Sequence, residues 1–490
     1  MIIKSDKEFF ADYLTDASNF KGDASALFIP ENIEELKEIV KKCYSENIPY
    51  TVSGAGTGLC GGRVPLSGVI ISTEKLNKIS PLKPETNTLW VESGVLFSDL
   101  EQELRQQGFF IPSNPTEKNS SVGGNIANNS SGAKTFKYGP YRNFVKAVRF
   151  ILPDGNEILI KRGENRITNG RLLFSFPEGT REIEVVCPVY PNVKNASGFY
   201  FPEGGDLIDL IVGCEGSLGI VAEAELSPLP LPENVLGGII FFDNEMKLLN
   251  FVKELRKTSR INNQRSVDEC DDISARLIEF FDSNSLDLIR IKFPLIPIEA
   301  KGAIWIEQEF SSAFEDVLLS KWYDFISEFT SLADRAWLSD SETEHRKMEE
   351  FRHALPTAIY EKYTASGTNK IGTDSAVPEN EFIDFYLRVK QKLESTGFEY
   401  YIWGHFGDCH LHANIISHNQ DEYNNGMKFY QEVVDLALGC KGTISAEHGI
   451  GKLKRKYLLQ MYGEDAINEM KKIKKFFDPK LLLNQGNLFL

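Results

Sequence analysis

Apolar residues recur at helical spacing from Asn32 to Cys43, with Ile33, Leu36, Ile39 and Val40 on one face, and predict an amphipathic helix. A short β run, Pro49 to Val52, follows it, and Asn143 to Pro153 reads as another strand. Up to about Pro230 the chain consists of short β-type runs separated by glycine and small polar residues. From Glu233 to Gln420 helical periodicity alternates with β runs: helix-like Val252 to Lys257, strand-like Gly302 to Gln308, then a charged helix around Asp340 to Arg352. Glu422 to Phe477 reads as two or three amphipathic helices, closed by Asp478-Pro479. The proline-spaced stretch Ser227 to Asn234 is the linker candidate. These textures divide the chain into 1–230, 231–420 and 421–490. The glycine- and proline-rich stretch 161–206 reads as loops and a hairpin inserted in the first part.

A chain of 490 residues is too long for one ordinary core, in agreement with this division. With 42% hydrophobic and 25% charged residues, the balance is that of a soluble globular protein. The net charge of -16 disfavours nucleic acid and anionic membranes as partners, yet leaves room for a basic pocket inside an acidic shell. No apolar run approaches the ~20 residues of a membrane span. The N-terminus carries early acidic residues and no signal-peptide-length apolar run, so a cytoplasmic setting is expected, at most peripheral to a membrane. The seven cysteines are scattered and form no C-x-x-C pair. That argues against a disulfide framework, a cysteine-ligated zinc and an iron–sulfur cluster.

Three segments concentrate small residues. The first follows the β run at 49–52: Ser53-Gly54-Ala55-Gly56-Thr57-Gly58-Leu59-Cys60-Gly61-Gly62. Glycines let backbone N–H groups approach a phosphate, so a pyrophosphate cradle is physically available. It is not the Rossmann G-x-G-x-x-G loop: the third glycine comes one residue early, and Gly61, Gly62 and Pro65 cannot open a helix. The second segment, Pro112 to Tyr138, holds Pro115, Ser120, Ser121, Val122, Gly123, Gly124, Ala127, Asn128, Ser131 and Gly132. A packed core has little use for so many small polar residues, whereas a wall wrapping a flat polar ligand does. The third, Gly213 to Val221, includes Glu215, Gly219, Ile220 and Val221 just before a β run.

Three of the seven histidines fall within Trp403 to Asn414, and a second motif, Gly442 to Lys452, carries Glu447-His448. A single histidine is usually structural. Three close together, followed by a glycine-flanked Glu-His, make a candidate metal and base site, suited to zinc, manganese or iron.

In this order and spacing the motifs resemble the FAD-binding oxidoreductases of the vanillyl-alcohol oxidase and p-cresol methylhydroxylase superfamily. They are most similar to its D-lactate dehydrogenase and glycolate oxidase large-subunit family. Lys137-Tyr138-Gly139 matches that family's K-Y-G, and Ile220 to Ala224 its third segment. The resemblance implies an α+β fold: a two-subdomain FAD-binding domain, a cap with an antiparallel sheet, and C-terminal helices that return to the FAD domain and complete the active site. It implies non-covalent FAD held by the three segments; the first histidine, His345, lies far from the glycine loop. It assigns His405, His412 and Glu447 as ligands of a divalent metal, zinc or manganese. His448 becomes the base, and Asn414 the asparagine following the second ligand. Cys409 and His410 replace the family's usual Gly-Asn. A strand from Asp408 to Ile415 would put His410 and His412 on one face, so His410 competes as a ligand.

The implied activity is oxidation of a small 2-hydroxy acid of the D-lactate or glycolate type, with hydride transfer to the flavin. Electrons would then pass to an unidentified acceptor: a quinone, an electron-transfer protein or a partner subunit. Two alternatives stand beside it: an FAD-carrying subunit of a larger electron-transfer complex, and a D-2-hydroxyglutarate-type dehydrogenase. An anionic substrate needs a fixed cation. Arg352, in Phe351 to Pro356, matches the family arginine that holds the substrate. Asp374 to Pro378 matches its D-x-x-x-P, but where many members have a lysine two residues before the aspartate this chain has Gly372, with Lys370 two further back.

Overall fold

The computed structural model describes residues 1–113 and 115–489. The first helix runs Ile33–Glu46: Asn32 caps it by accepting from Glu35 N, and Asn47 in the left-handed conformation ends it. It buries Leu36, Ile39, Val40 and Cys43, the face anticipated from spacing. That face packs on a four-stranded sheet ordered Ile2–Lys4, Ala26–Ile29, Val69–Ser72, Tyr50–Ser53. The end of the chain joins the same sheet. Tyr50 N donates to Leu482 O at 2.9 Å, and Val52 N to the Asn484 side chain at 2.8 Å. Leu482 and Leu483 enter this core, so the last residues complete the first subdomain rather than the helical segment before them.

A second four-stranded sheet, all antiparallel, is ordered Leu89–Glu92, Ile220–Leu226, Val145–Ile151, Glu157–Lys161. The 161–206 stretch contains a hairpin, Arg171–Phe176 with Gly179–Glu184. Phe174 and Phe176 from it pack edge-on against Phe477 and Phe476 of the last helix, Arg455–Phe477. That helix is interrupted at Gly463, whose positive φ of 76° breaks the helical path.

The remaining strands form one eight-stranded antiparallel sheet running from Trp337–Ser339 through Asn234–Phe242, Gly302–Phe310, Ala275–Asp282, Glu399–His405 and His410–Ile416 to short pieces at 371–372 and 375–376. Its register positions the chemistry: Glu279 lies opposite His405, Trp403 opposite His412, Ala376 opposite His410 and Gly372 opposite Asn414. Lys137 and Tyr138 dock the first half of the chain onto this sheet by donating to Glu309. Among the described residues no helix is long and apolar enough to cross a membrane.

Candidate active site

A cavity of about 800 Å³ runs from the glycine loop to the histidine strand, within the size range of cofactor sites. All three small-residue segments line it, through Gly54 to Gly58, Gly62, Pro115, Ser120, Ser121, Gly123, Gly124, Ala127, Asn128, Ser131, Glu215 and Gly219 to Val221. Asn114 of the second segment lies outside the described residues. The glycine loop stays irregular, as its sequence requires, and Arg63 pins it by donating to Thr15 O at 2.9 Å and to Gly54 O at 3.2 Å. Gly56 has φ +82°, and a Cβ there would meet the Arg63 guanidinium at 2.2 Å, so only glycine fits.

The FAD implied by the resemblance fits these walls. The hydroxyls of Ser93, Ser120 and Ser131 and the Asn125 amide nitrogen face this cavity's lining, buried and without a protein partner. Groups left this way call for a polar ligand. Gly62 has open space where a side chain would stand, so its lack of one keeps the cavity clear.

Several residues expected at the cofactor do not line the cavity. Lys137 and Tyr138 turn to Glu309 in the cap sheet, and Gly139 completes their turn with φ +78°, so the K-Y-G motif is a docking element here. Val122 is fully buried in the core. Ser53 receives Arg63 and hydrogen-bonds Gly54 O, Gly61 packs against Phe20, and Gly132 N donates to the Thr135 hydroxyl. Arg352 does not line the cavity: its Nε donates to Glu279 at 2.8 Å and its guanidinium stacks at 4.3 Å over Trp403, while its Nη1 is buried without a protein partner.

At the far end of the cavity the histidines converge. The strand His410–Ile416 puts His410 and His412 on one face, and Cys409 makes the preceding turn at φ +54°. Arg256 holds that strained turn by donating to Cys409 Sγ at 2.7 Å, which lets a cysteine stand where glycine is easier. Each imidazole uses one nitrogen to donate to a buried acceptor: His405 Nδ1 to Glu279 (2.5 Å), His410 Nε2 to Asp374 (2.9 Å) and His412 Nδ1 to Thr373 O (3.0 Å). The assignment follows from the partners, since carboxylates and carbonyls can only accept. The other nitrogens therefore present lone pairs. His405 Nε2 and His412 Nε2 each lie 3.1 Å from a Glu447 oxygen, and His410 Nδ1 is buried without a partner. Lone pairs facing a carboxylate need a cation between them. The donor atoms of His405, His410, His412 and Glu447 all lie within 4.8 Å of one another, so this set fits a divalent ion, with His410 as a full member.

The electrostatics follow from the same partners. Burial would push the Glu447 carboxyl up, but Lys194, His405 and His410 hold it well below its usual value. Burial likewise works against charge on Asp374, and His448, Lys454 and His410 outweigh it. Burial lowers His405, but Glu279 more than reverses this and raises it. Burial brings His448 down to about 3, against the opposing pull of Asp374 and Glu447. His448 is therefore neutral near pH 7, and it stacks on His412 at 5.3 Å on the cavity side.

Sequence reading missed much of this support. Asp374 accepts from His410, from Lys454, from the Ser445 hydroxyl and from the backbone of Glu447 and His448, and so fixes the Glu-His loop. Lys194, from the 161–206 stretch, donates to Glu447 at 2.8 Å. Glu279 offered one visible signal: a charge set between the apolar pairs Leu277-Ile278 and Phe280-Phe281 of a β run. Lys194 offered none. The Glu-His loop also joins the two ends of the cavity, since Glu215 accepts from Ile450 N and Gly451 N, and Asn128 donates to Glu447 O.

Comparison with known proteins agrees with this geometry. Residues 24–160 match the model of the FAD binding domain, and residues 269–488 that of the C-terminal domain of FAD linked oxidases. A glycolate oxidase subunit GlcD of Bacillus subtilis (strain 168) is 27% identical over 97% of this chain and 92% of its own length. A D-lactate dehydrogenase of Anaerostipes hadrus is 29% identical over 98% of this chain and 93% of its own. A D-2-hydroxyglutarate dehydrogenase of Xanthomonas citri pv. viticola is 26% identical over 95% and 89%. A solved alkyldihydroxyacetonephosphate synthase superposes with a TM-score of 0.64 at 16% identity, over 98% of this chain and 81% of that one, a likeness of fold. With an FAD binding domain in front and an FAD-oxidase C-terminal domain behind it, the chain belongs to the FAD-linked oxidases and is a flavoprotein oxidoreductase.

Proposed function

We propose that the protein oxidises a small 2-hydroxy acid at its α carbon. The observation that carries this reading is the placement of His448, neutral and cavity-facing, beside a histidine–glutamate cluster at the end of the cavity that the three small-residue segments line. When bound, FAD supplies a two-electron hydride acceptor, and a divalent ion held by His405, His410, His412 and Glu447 supplies positive charge for the hydroxyl oxygen. The work of the chain is then proton handling and orientation. His448 Nδ1 lies 3.4 Å from Asp374 and Nε2 lies 3.5 Å from Glu447; with the N–H on the Asp374 side, Nε2 accepts the hydroxyl proton. The imidazolium so formed is flanked by Asp374 and Glu447, both ionised. Asn414 Nδ2, buried and unpaired at the cavity wall, donates to the substrate. Glycolate oxidase, D-lactate dehydrogenase and D-2-hydroxyglutarate dehydrogenase among the relatives support the substrate class.

The test is anaerobic mixing of the yellow protein with D- and L-2-hydroxy acids, including glycolate, lactate and 2-hydroxyglutarate. Bleaching of the flavin by one of them is expected and fixes the handedness. Bleaching by neutral alcohols alone would sink the reading.

A further inference from the structure

Among the described residues five large apolar side chains are at least 70% exposed, and three of them lie within eight positions: Ile291 at 95%, Leu295 at 70% and Ile298 at 87%. Single exposures of this kind are ordinary on a protein surface, whereas a cluster calls for something that covers it. The three belong to the turn that joins the helix Ser283–Ile289 to the strand Gly302–Phe310 of the eight-stranded sheet. That turn is built so that they cannot fold back. Arg290 donates to the carbonyls of Ile296 and Pro297, both at 2.9 Å, and closes the loop on itself. Ile296 and Ala300 are sunk in the same core as Ile289, and Phe293 packs against it. Lys301 N donates to Phe242 O at 2.7 Å and ties the exit to the sheet. With the inward side filled in this way, Ile291, Leu295 and Ile298 are held outward together with exposed Pro294.

The chemistry of the tip decides what covers it. A stable protein interface needs ~800 Å² per partner, and three aliphatic side chains fall short of that. Interface cores favour aromatic residues and arginine and avoid lysine. Here the exposed apolar residues are all aliphatic or proline, and exposed Lys292 and Lys301 stand beside them, against one exposed acid, Glu299. Arg290, the third cation of the turn, is paired with Asp287. Aliphatic tips with neighbouring lysines suit a lipid surface. The apolar side chains enter the boundary between headgroups and acyl chains, and the lysine stems lie along it with their ammonium groups at the phosphates. The net charge of -16 opposes attraction to an anionic membrane, so insertion and not charge has to supply the affinity.

We propose that the 291–298 turn is a lipid-insertion tip by which the protein docks reversibly on a membrane surface. The proposal uses none of the active-site residues and does not depend on which acid is oxidised.

The test is sedimentation of the full FAD-loaded protein with phosphatidylcholine vesicles, at low salt and at about 0.5 M NaCl. Binding is expected at both, because insertion of apolar side chains is not screened. The triple variant Ile291→Ser, Leu295→Ser, Ile298→Ser should lower the partition coefficient about 100-fold or more. Its flavin content and unfolding midpoint should match wild type, since all three side chains are exposed. Leu295→Trp should strengthen binding, because an indole favours the headgroup boundary. Lys292→Glu with Lys301→Glu should weaken it by a smaller factor than the three serines. Failure of the wild type to bind vesicles would overturn the inference, as would equal binding by the triple variant. Binding that vanishes at about 0.5 M NaCl would show a purely electrostatic contact and overturn insertion. Analytical ultracentrifugation without lipid tests the other occupant: a wild-type dimer that turns monomeric in the triple variant would assign the tip to a second copy of this chain and overturn the lipid assignment.

Discussion

The two ends of the cavity are built on opposite principles. At the flavin end the wall is backbone and small side chains: glycines, serines and asparagines that keep space open and leave polar atoms unsatisfied. At the other end large side chains converge, and each is held by a residue behind it: Glu279 behind His405, Asp374 behind His410, Thr373 behind His412 and Lys194 behind Glu447. A wall of small residues fails when anything is added to it. A cluster of braced side chains fails when anything is taken away.

Addition at the flavin end carries the largest expected effect. The Cβ of a residue at position 58 would meet nothing nearer than Asp16 at 3.6 Å, so Gly58→Glu can fold. Its carboxylate would then stand in the cavity beside Asp16 and repel the FAD pyrophosphate. The variant should purify colourless, with the fold intact by circular dichroism. A variant as yellow as wild type would assign the loop another task.

Removal at the histidine end comes next. His448→Ala should slow flavin reduction by ~10²–10⁴, the usual cost of losing a general base, while FAD remains bound. Stopped-flow reduction at wild-type rates would take His448 out of the reaction. A smaller effect is expected one layer back. Glu279→Gln keeps the shape of the brace but removes its charge, and outer partners of a metal ligand typically change affinity by ~10–100-fold. Chelator competition should show weaker metal retention by about that factor, with an unchanged flavin spectrum. Equal retention would mean that the register of the sheet, and not the Glu279 charge, orients His405.

The same contrast explains how much was legible in the sequence. The flavin end is written in composition: Gly54 to Gly62 and Ser120 to Gly132 announce a ligand wall because no core would use them, and they lie close together along the chain. The helix at 33–46 and the strands at 145–151 and 302–310 follow from periodicity. His405, His412 and Glu447 were visible as a dense pattern with His410 as a competing ligand, and the structure brings donor atoms of all four together. The braces were not visible, because they arise from pairings distant in sequence. Glu279 reaches His405 across a strand pair, and Lys194 arrives from the stretch that yielded no functional reading. Arg352, which a motif match gives to the substrate, has its Nε on the buried Glu279 and its Nη1 buried without a protein partner.

Asp282 sharpens the comparison with the smallest effect. It ends the strand that carries Glu279 and is equally buried, but among the described residues no cation forms a salt bridge with it. Its Oδ1 accepts from Ser285 N at 2.8 Å to cap the helix Ser283–Ile289, and its Oδ2 has no partner. Burial therefore pushes its pKa from 3.8 up to about 6, whereas Glu279, with His405 and Arg352 beside it, lies below its usual value despite burial. Because the folded value is the higher one, the native state holds the proton more tightly than the unfolded chain. The Asp282 contribution to stability is thus fully present below pH 3.8, is lost as pH rises through about 6, and stays constant above it. At ~1.4 kcal/mol per pKa unit the whole swing is roughly 1–3 kcal/mol. Asp282→Asn keeps the cap without the charge, and asparagine caps a helix about as well as aspartate. Denaturant unfolding of the holoprotein should therefore find the variant more stable than wild type at about pH 7.5 by that amount, with the gap closing toward about pH 4.5. A gap that does not change with pH would show that Asp282 is ionised without cost, and that a buried acid in this sheet needs no cation behind it.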